Sequence, residues 1–382
     1  MTDGPRPRAL AVGGLVALAA AIGVGRFVHT PILPLMVEDL GMTKGAAGLL
    51  ASANYAGYLA GALLAATPAV SGSRRRWLLA GLTVSALTTG AMAFVSTPAA
   101  FALLRFVGGV ASAFGLVFAS ALVLDRLAAA GRSDLSAVHF AGVGVGITVS
   151  AVVSWGFASW GGWRAIWLAA GAVSLIAVAA VAGLIPARAQ EAPARSRRAN
   201  RLKPRLVAFV AAYGLFGFGY IITATFLVAI VRGSDEVRGL EPVVWLVVGL
   251  TAAPSVAFWT RSGARVGIAR AFALACVVEA IGVAASVMGA TTAVLLAAAL
   301  LGGTFMGLTA LGLIGARRLS EGDPRNTLAV MTAAFGLGQI VGPAFAGLVS
   351  DATGSFVGPS LVAVTALLVG AVLALASGER AA

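Results

Sequence analysis

This 382-residue chain is poor in cysteine, histidine and charge. Its single cysteine, Cys276, lies inside an apolar run, so neither a disulfide nor a thiolate metal site can form within the chain. Neither of its two histidines has an acid placed for a catalytic triad. HExxH, CxxC and GxxxxGK[ST] are all missing. These absences argue against an enzyme and against ATP-driven work, and no cofactor is expected. Charged residues make up 11% of the chain, where soluble domains carry about 25%. With 59% hydrophobic residues, a soluble fold of this length could not hide its apolar surface, so lipid must cover it. Acids are the scarcer sign, 14 against 27 bases, for a net charge of +13. The bases occupy short loops between apolar runs, and no basic face survives once helices are placed. Nucleic acid is therefore not an expected partner.

The apolar runs predict an all-α polytopic membrane protein with twelve spans, at about 9–37, 43–70, 77–95, 98–124, 135–157, 163–185, 206–231, 242–260, 267–289, 292–316, 325–350 and 356–377. The first run follows a short basic stretch and is longer than a signal-peptide core, so it reads as a retained helix. Only 186–205, PARAQEAPARSRRANRLKPR, reads as a linker. It separates an N-terminal unit of six helices, 1–185, from a C-terminal unit of six, 206–382.

Arg6, Arg8, Arg74–Arg76, Arg126, Arg132, the linker bases, Arg261, Arg265, Arg270, Arg317, Arg318, Arg325 and Arg380 fall on one side of the membrane. Only Lys44, Arg164, Arg232 and Arg238 fall on the other. The positive-inside rule predicts cytoplasmic termini and a cytoplasmic linker. Trp155, Trp160 and Trp163 then fall at the outer boundary, Trp77 and Trp259 at the inner. Glu38 and Asp39 are expected as solvated ends of the first span.

The halves are related. RLAAAGRSDLSAVHFAGVGVG (126–146) aligns with RLSEGDPRNTLAVMTAAFGLG (318–338), matching Arg126 to Arg318, Gly144 to Gly336 and Gly146 to Gly338. Six helices per copy make this a parallel repeat, whose substrate site belongs between the halves near mid-membrane.

Two arginines lie inside spans. A charge at the bilayer centre costs about 3 kcal/mol on insertion scales, so Arg26 and Arg105 should face a wet cavity, a partner or a substrate. Helical periodicity puts His29 and Thr30 on the face of Arg26, and Pro31 and Pro34 predict a kink toward the outer end of that span. Gly109 and Ser112 flank Arg105 with small residues, as close helix packing requires.

Twelve helices as six plus six with a basic central loop resemble the major facilitator superfamily across essentially the whole chain. LLRFVGGVASA (103–113) resembles its fourth-helix motif and RSGAR (261–265) the core of its loop between helices 8 and 9; SGSRRR (71–76) is a degenerate counterpart. Neither loop has the Asp usual before that core. GVGRFVHTPILPLM (23–36), ASANYAGYLAGALL (51–64), HFAGVGVG (139–146) and FGFGYIITATFL (216–227) resemble the YbfB/YjiJ-type bacterial branch. The resemblance implies a secondary active transporter of the bacterial inner membrane, working by alternating access as a monomer.

Candidate substrate-binding residues are Arg26, His29, Thr30, Asn54, Tyr55, Tyr58, Arg105, His139, Tyr213, Phe216, Tyr220 and Gln339. Arg26 is read either as a substrate or gating contact or as a brace of the first span on carbonyls of the fifth; Arg105 is read either as a second cation for the substrate or as a brace, and the resemblance implies a structural or protonation-coupled arginine there. His29 and His139 are read either as proton carriers or as packing residues. Gating or coupling candidates are Asp125, Glu279, Arg261 and Arg265. The resemblance makes the helix of Glu279 peripheral, which favours a protonated or interface-bonded acid over a proton carrier. Cavity cations outnumber cavity acids, so a small organic anion leads as substrate, with protons as coupling ion. Efflux of apolar or drug-like compounds stands second, and a non-transporting receptor is a remote third.

Overall fold

A computed structural model describes residues 7–186, 203–320 and 324–378; side chains of 324 and 325 lie outside the description. Most of the linker, 187–202, and Arg6 and Arg380 therefore fall outside it. The described residues are all-helical: α1 (Pro7–Leu18), α2 (His29–Leu40), α3 (Lys44–Ala65), α4 (Arg74–Ala91), α5 (Pro98–Ala129), α6 (Ser136–Leu184), α7 (Pro204–Arg232), α8 (Glu241–Val266), α9 (Ile268–Ala285), α10 (Thr291–Leu319), α11 (Pro324–Thr353) and α12 (Val357–Ser377).

Eleven segments are long and apolar enough to cross a membrane, where the sequence predicts twelve. The twelve helix labels conceal two differences that cancel, and the shortfall of one segment comes from the second. First, α1 and α2 belong to one segment, Pro7–Leu40, joined by a π-helical stretch, Ala19–Val24, and a turn. Second, the expected fifth and sixth spans run together as α6, interrupted by non-helical backbone at Gly161 and Gly162. Gly162 sits at φ +57°, where a Cβ is disfavoured.

The helices pack in a repeated scheme. Within the first half, α1 packs on the first part of α6, α3 on α5, and α4 on the second part of α6. Within the second half, α7 packs on α11, α8 on α10, and α9 on α12. Across the halves, α3 meets α11 and α6 meets α8. Glycines make the close approaches at most of these contacts, because in lipid close van der Waals approach, not expulsion of water, holds helices together. A Cβ at Gly61 would lie 2.6 Å from the Val110 carbonyl of α5; one at Gly342 would lie 2.9 Å from the Phe218 carbonyl of α7. Gly57 abuts the Phe106 carbonyl and Gly338 the Gly214 carbonyl more closely still. RSGAR is not a loop: α8 continues through it, with Gly263 packed on Ile268 and Leu311.

Gly57→Leu and Gly338→Leu should each lower the melting temperature of the purified protein by several degrees, since overpacking against backbone costs about 1–3 kcal/mol. Unchanged melting in both would mean these faces do not form the contacts described.

Candidate functional site

The site begins with a break in a helix. The π-helical stretch shifts hydrogen bonding by one residue: Gly25 donates to Ala20 and Phe27 to Ile22. Pro31 has no N–H to offer the preceding turn. The chain turns through 25–28 and restarts as α2. The break therefore lies ahead of the two prolines, not at the outer end of the span where they alone suggested it.

Arg105 fills the gap. Its Nη1 donates to the Gly25 carbonyl at 3.2 Å and its Nη2 to the Arg26 carbonyl at 3.2 Å. Its guanidinium also lies 5.8 Å from the Trp167 ring centroid. Arg105 is thus a brace on backbone oxygens, and its terminal nitrogens are engaged. Asn54 supports the same junction by donating to the Arg105 backbone carbonyl at 2.8 Å. It ties α3 to α5 and does not join Arg26.

Arg26 is 5% exposed and turns the other way. Its Cζ lies 4.2 Å from the Tyr58 ring centroid and 4.9 Å from that of Tyr55. Its Nη2 donates to Oε1 of Gln339 on α11 at 3.3 Å, a long bond, and its Nε has no hydrogen-bond partner. Among the described residues no carboxylate pairs with it. Cation–π contact of this kind contributes about 1–2 kcal/mol when desolvated, but a guanidinium has five donors to satisfy. The arrangement can accept an anion.

Gln339 is fully buried and joins two partners: its amide nitrogen donates to the Tyr220 hydroxyl while its oxygen accepts from Arg26. Tyr220 opens an aromatic wall. Its ring is nearly parallel to Phe305 (6°, 5.7 Å) and Phe335 (9°, 5.8 Å), and Phe216 stacks on it at 4.9 Å. Tyr213 stacks on Phe335 at 4.9 Å. Phe27, next to Arg26, closes the wall against Phe305 and Trp245. Phe27, Phe305, Phe335 and Trp245 were not among the sequence candidates. Nothing in a greasy helix separates such rings from ordinary core.

Other candidates lie elsewhere. His29 does not share the face of Arg26, because the helical period is interrupted between them. Its ring packs 6.1 Å from Trp167, beside Arg105, with both nitrogens unpartnered. Thr30 donates to the Ala224 carbonyl of α7 at 2.8 Å, joining the halves. His139 meets Ser120 at 3.0 Å and packs by Gly14, on the order of 18 Å along the first helix from Arg26. Glu279 is fully buried on α9 beside Thr304 of α10, and no ion pair joins it to Arg26. Asp125 pairs with Arg74 at 3.2 Å within the first half. Arg261 and Arg265 are exposed at the end of α8.

A cluster of bonds between halves lies toward the end bearing Lys44 and Arg232. Arg232 of α7 grips Glu38 of α2 with two bonds, 2.7 and 2.6 Å, and holds Glu241 at 3.0 Å. Asp351 of α11 accepts from the backbone N–H groups of Lys44 (2.9 Å) and Gly45 (2.7 Å) at the start of α3. Its charge meets the positive end of that helix. Deeper in the seam between the halves, Ser52 donates to the Ile340 carbonyl at 2.6 Å and Trp245 to Ser150 at 3.0 Å. Glu38 and Asp39 are therefore not merely solvated ends: Asp39 accepts from Trp163 at 2.7 Å.

Residues 18–375 match the family described as "Uncharacterised MFS-type transporter YbfB". The chain belongs to this family of major facilitator transporters. It is a multi-pass membrane transporter and not an enzyme. It is 27% identical over 175 residues to a gallate transporter of Pseudomonas putida, covering 46% of this chain and 39% of that protein. It is 28% identical over 242 residues to a chloramphenicol resistance protein of Streptomyces lividans, covering 62% of this chain and 61% of that protein. The match thus spans less than two thirds of either relative. In fold, it resembles the nucleoside transporter NupG (D323A mutant), with TM-score 0.74, 18% identity, 97% of this chain and 100% of that one. It also resembles a bacterial homologue of the human lysosomal transporter Spinster, with TM-score 0.70, 14% identity and 98% of each chain.

The bonds at the Lys44–Arg232 end can be tested by accessibility. In a Cys276→Ser background, Ala47→Cys should be alkylated slowly, since Ala47 has no exposed surface. Adding Asp351→Asn or Arg232→Ala should speed labelling several-fold by releasing that end. Equal rates in all three proteins would show that these bonds do not hold the end shut.

Proposed function

We propose that this transporter carries a small organic anion across the bacterial cytoplasmic membrane by alternating access, coupled to protons. The observation that carries the reading is Arg26: a cation buried where α2, α3, α7 and α11 meet, with no carboxylate partner among the described residues and a single long hydrogen bond. Guanidinium suits a carboxylate, because its planar donors bind two oxygens at once. A relative named for gallate, itself a carboxylate, adds support. The halves, 1–185 and 206–382, rock about this point, joined by the cytoplasmic linker 186–205. The Gly161–Gly162 break separates two passes and makes twelve. Arginine placement puts the Glu38–Arg232 latch outside, so the state described is closed to the exterior.

Export of apolar compounds is the second reading. The aromatic wall and the relative named for chloramphenicol resistance favour it.

Proteoliposome flux separates the two. Arg26→Ala should reduce uptake of an organic acid by at least about 30-fold while leaving a folded, monodisperse protein. Normal flux in that variant, or a preference for cations, overturns the anion reading. A protonophore should abolish accumulation; if it does not, proton coupling is wrong. Asp235→Cys should label from outside intact cells and Ser133→Cys should not. The reverse pattern would invert the topology.

A further inference from the structure

Gln339 occupies the place a substrate would need. Its side chain is fully buried, yet it gives Arg26 only a neutral acceptor at 3.3 Å, longer than a charge-assisted bond should be. Its other end holds Tyr220, whose ring face is shared in orientation by Phe305 and Phe335. Guanidinium and phenol are thus separated by one amide and two hydrogen bonds, at most about 8 Å. Within that span lie one cation and a set of near-parallel aromatic faces. Of this group, Tyr58 on α3 and Phe335 on α11 retain most surface, 9% each, one on either side of the seam.

We infer that the ligand is a planar aromatic carboxylate, and that its carboxylate displaces the Gln339 side-chain oxygen from Arg26 while its ring lies against Tyr220 and Phe335. This rests on the organic-anion reading and narrows it. A carboxylate offers Arg26 two charged acceptors in place of one neutral one, so the exchange is favourable. A planar ring aligned with Tyr220 is aligned with Phe305 and Phe335 as well, whereas a puckered ring meets none of them face to face. The exchange has a mechanical consequence. The Arg26–Gln339 bond joins the first half to the second, so ligand binding removes a tie across the seam. Gln339 is a place-holder for substrate and a determinant of specificity.

The test uses the full-length purified transporter in nanodiscs, titrated calorimetrically with benzoate, cyclohexanecarboxylate, acetate and benzamide. Benzoate should bind about tenfold more tightly than cyclohexanecarboxylate, the scale of one or two aromatic contacts. Benzamide, which has the ring but no charge, should not bind measurably. If cyclohexanecarboxylate equals or exceeds benzoate, the aromatic inference fails while the anion reading stands. If benzamide binds as well as benzoate, or no acid binds, the anion reading fails with it. Gln339→Glu places a permanent carboxylate on Arg26, so it should weaken benzoate at least 100-fold without lowering the melting temperature. Gln339→Ala removes the competing acceptor, so it should tighten benzoate binding about threefold or more. Benzoate binding unchanged in Gln339→Glu, or not tightened in a folded Gln339→Ala, overturns the place-holder role. Should Gln339→Glu not fold, Tyr220→Leu decides the aromatic half: it should erase the preference for benzoate over cyclohexanecarboxylate while leaving acetate unchanged, and a preserved preference counts against the inference.

Discussion

A helix that breaks inside a bilayer exposes carbonyls that water cannot reach, and each unsatisfied one costs several kcal/mol. Here Arg105 answers that demand at Gly25 and Arg26. Its two bonds let α1 and α2 be separate rods, and the turn between them sets the direction of the Arg26 side chain. Asn54 steadies the same brace from α3. Two arginines therefore sit at one junction with different work: one satisfies backbone, the other is left short of partners.

That division explains how charge is tolerated at this depth. Arg105 exchanges hydration for two carbonyl dipoles and the face of Trp167. Arg26 rests on two tyrosine faces and one amide oxygen. The tyrosines offset part of the desolvation without using the donors. What stays unmet is hydrogen bonding: the Arg26 Nε has no partner and its Nη2 has one long bond.

Bonds across the seam at the Lys44–Arg232 end include the Glu38–Arg232 ion pair and a carboxylate on a helix start. These contacts are strong yet lie at exposed or half-buried positions, so water can solvate the partners when they part. Gly48 and Gly347 let α3 and α11 approach along the same edge. The charged bonds of the seam thus lie at its wet end. The deeper seam is held by single side-chain contacts: Thr30 and Ser52 on carbonyls, Trp245 on the Ser150 hydroxyl, and Arg26 on the Gln339 amide.

The sequence by itself determined the membrane and the helices and singled out Arg26 as a charge within a span, because these rest on composition and local period. It also named Tyr58 and Tyr220, polar tips in apolar runs, and Gln339, whose GLGQIVGP setting read more as packing and hinge than as a substrate contact. Tertiary structure alone decided which residues meet. Periodicity joined His29 to Arg26, but a π-turn and a reset helix separated them. It left Glu38 to solvent, but Arg232, far along the chain, took it. Phe305 and Phe335 look like core in any apolar helix, and only the packing of α7, α10 and α11 turns them into one wall with Tyr220. Local rules describe a helix face; they do not say which face of another helix will cover it, because that choice is made by backbone approach at glycines and by the single break in the first span.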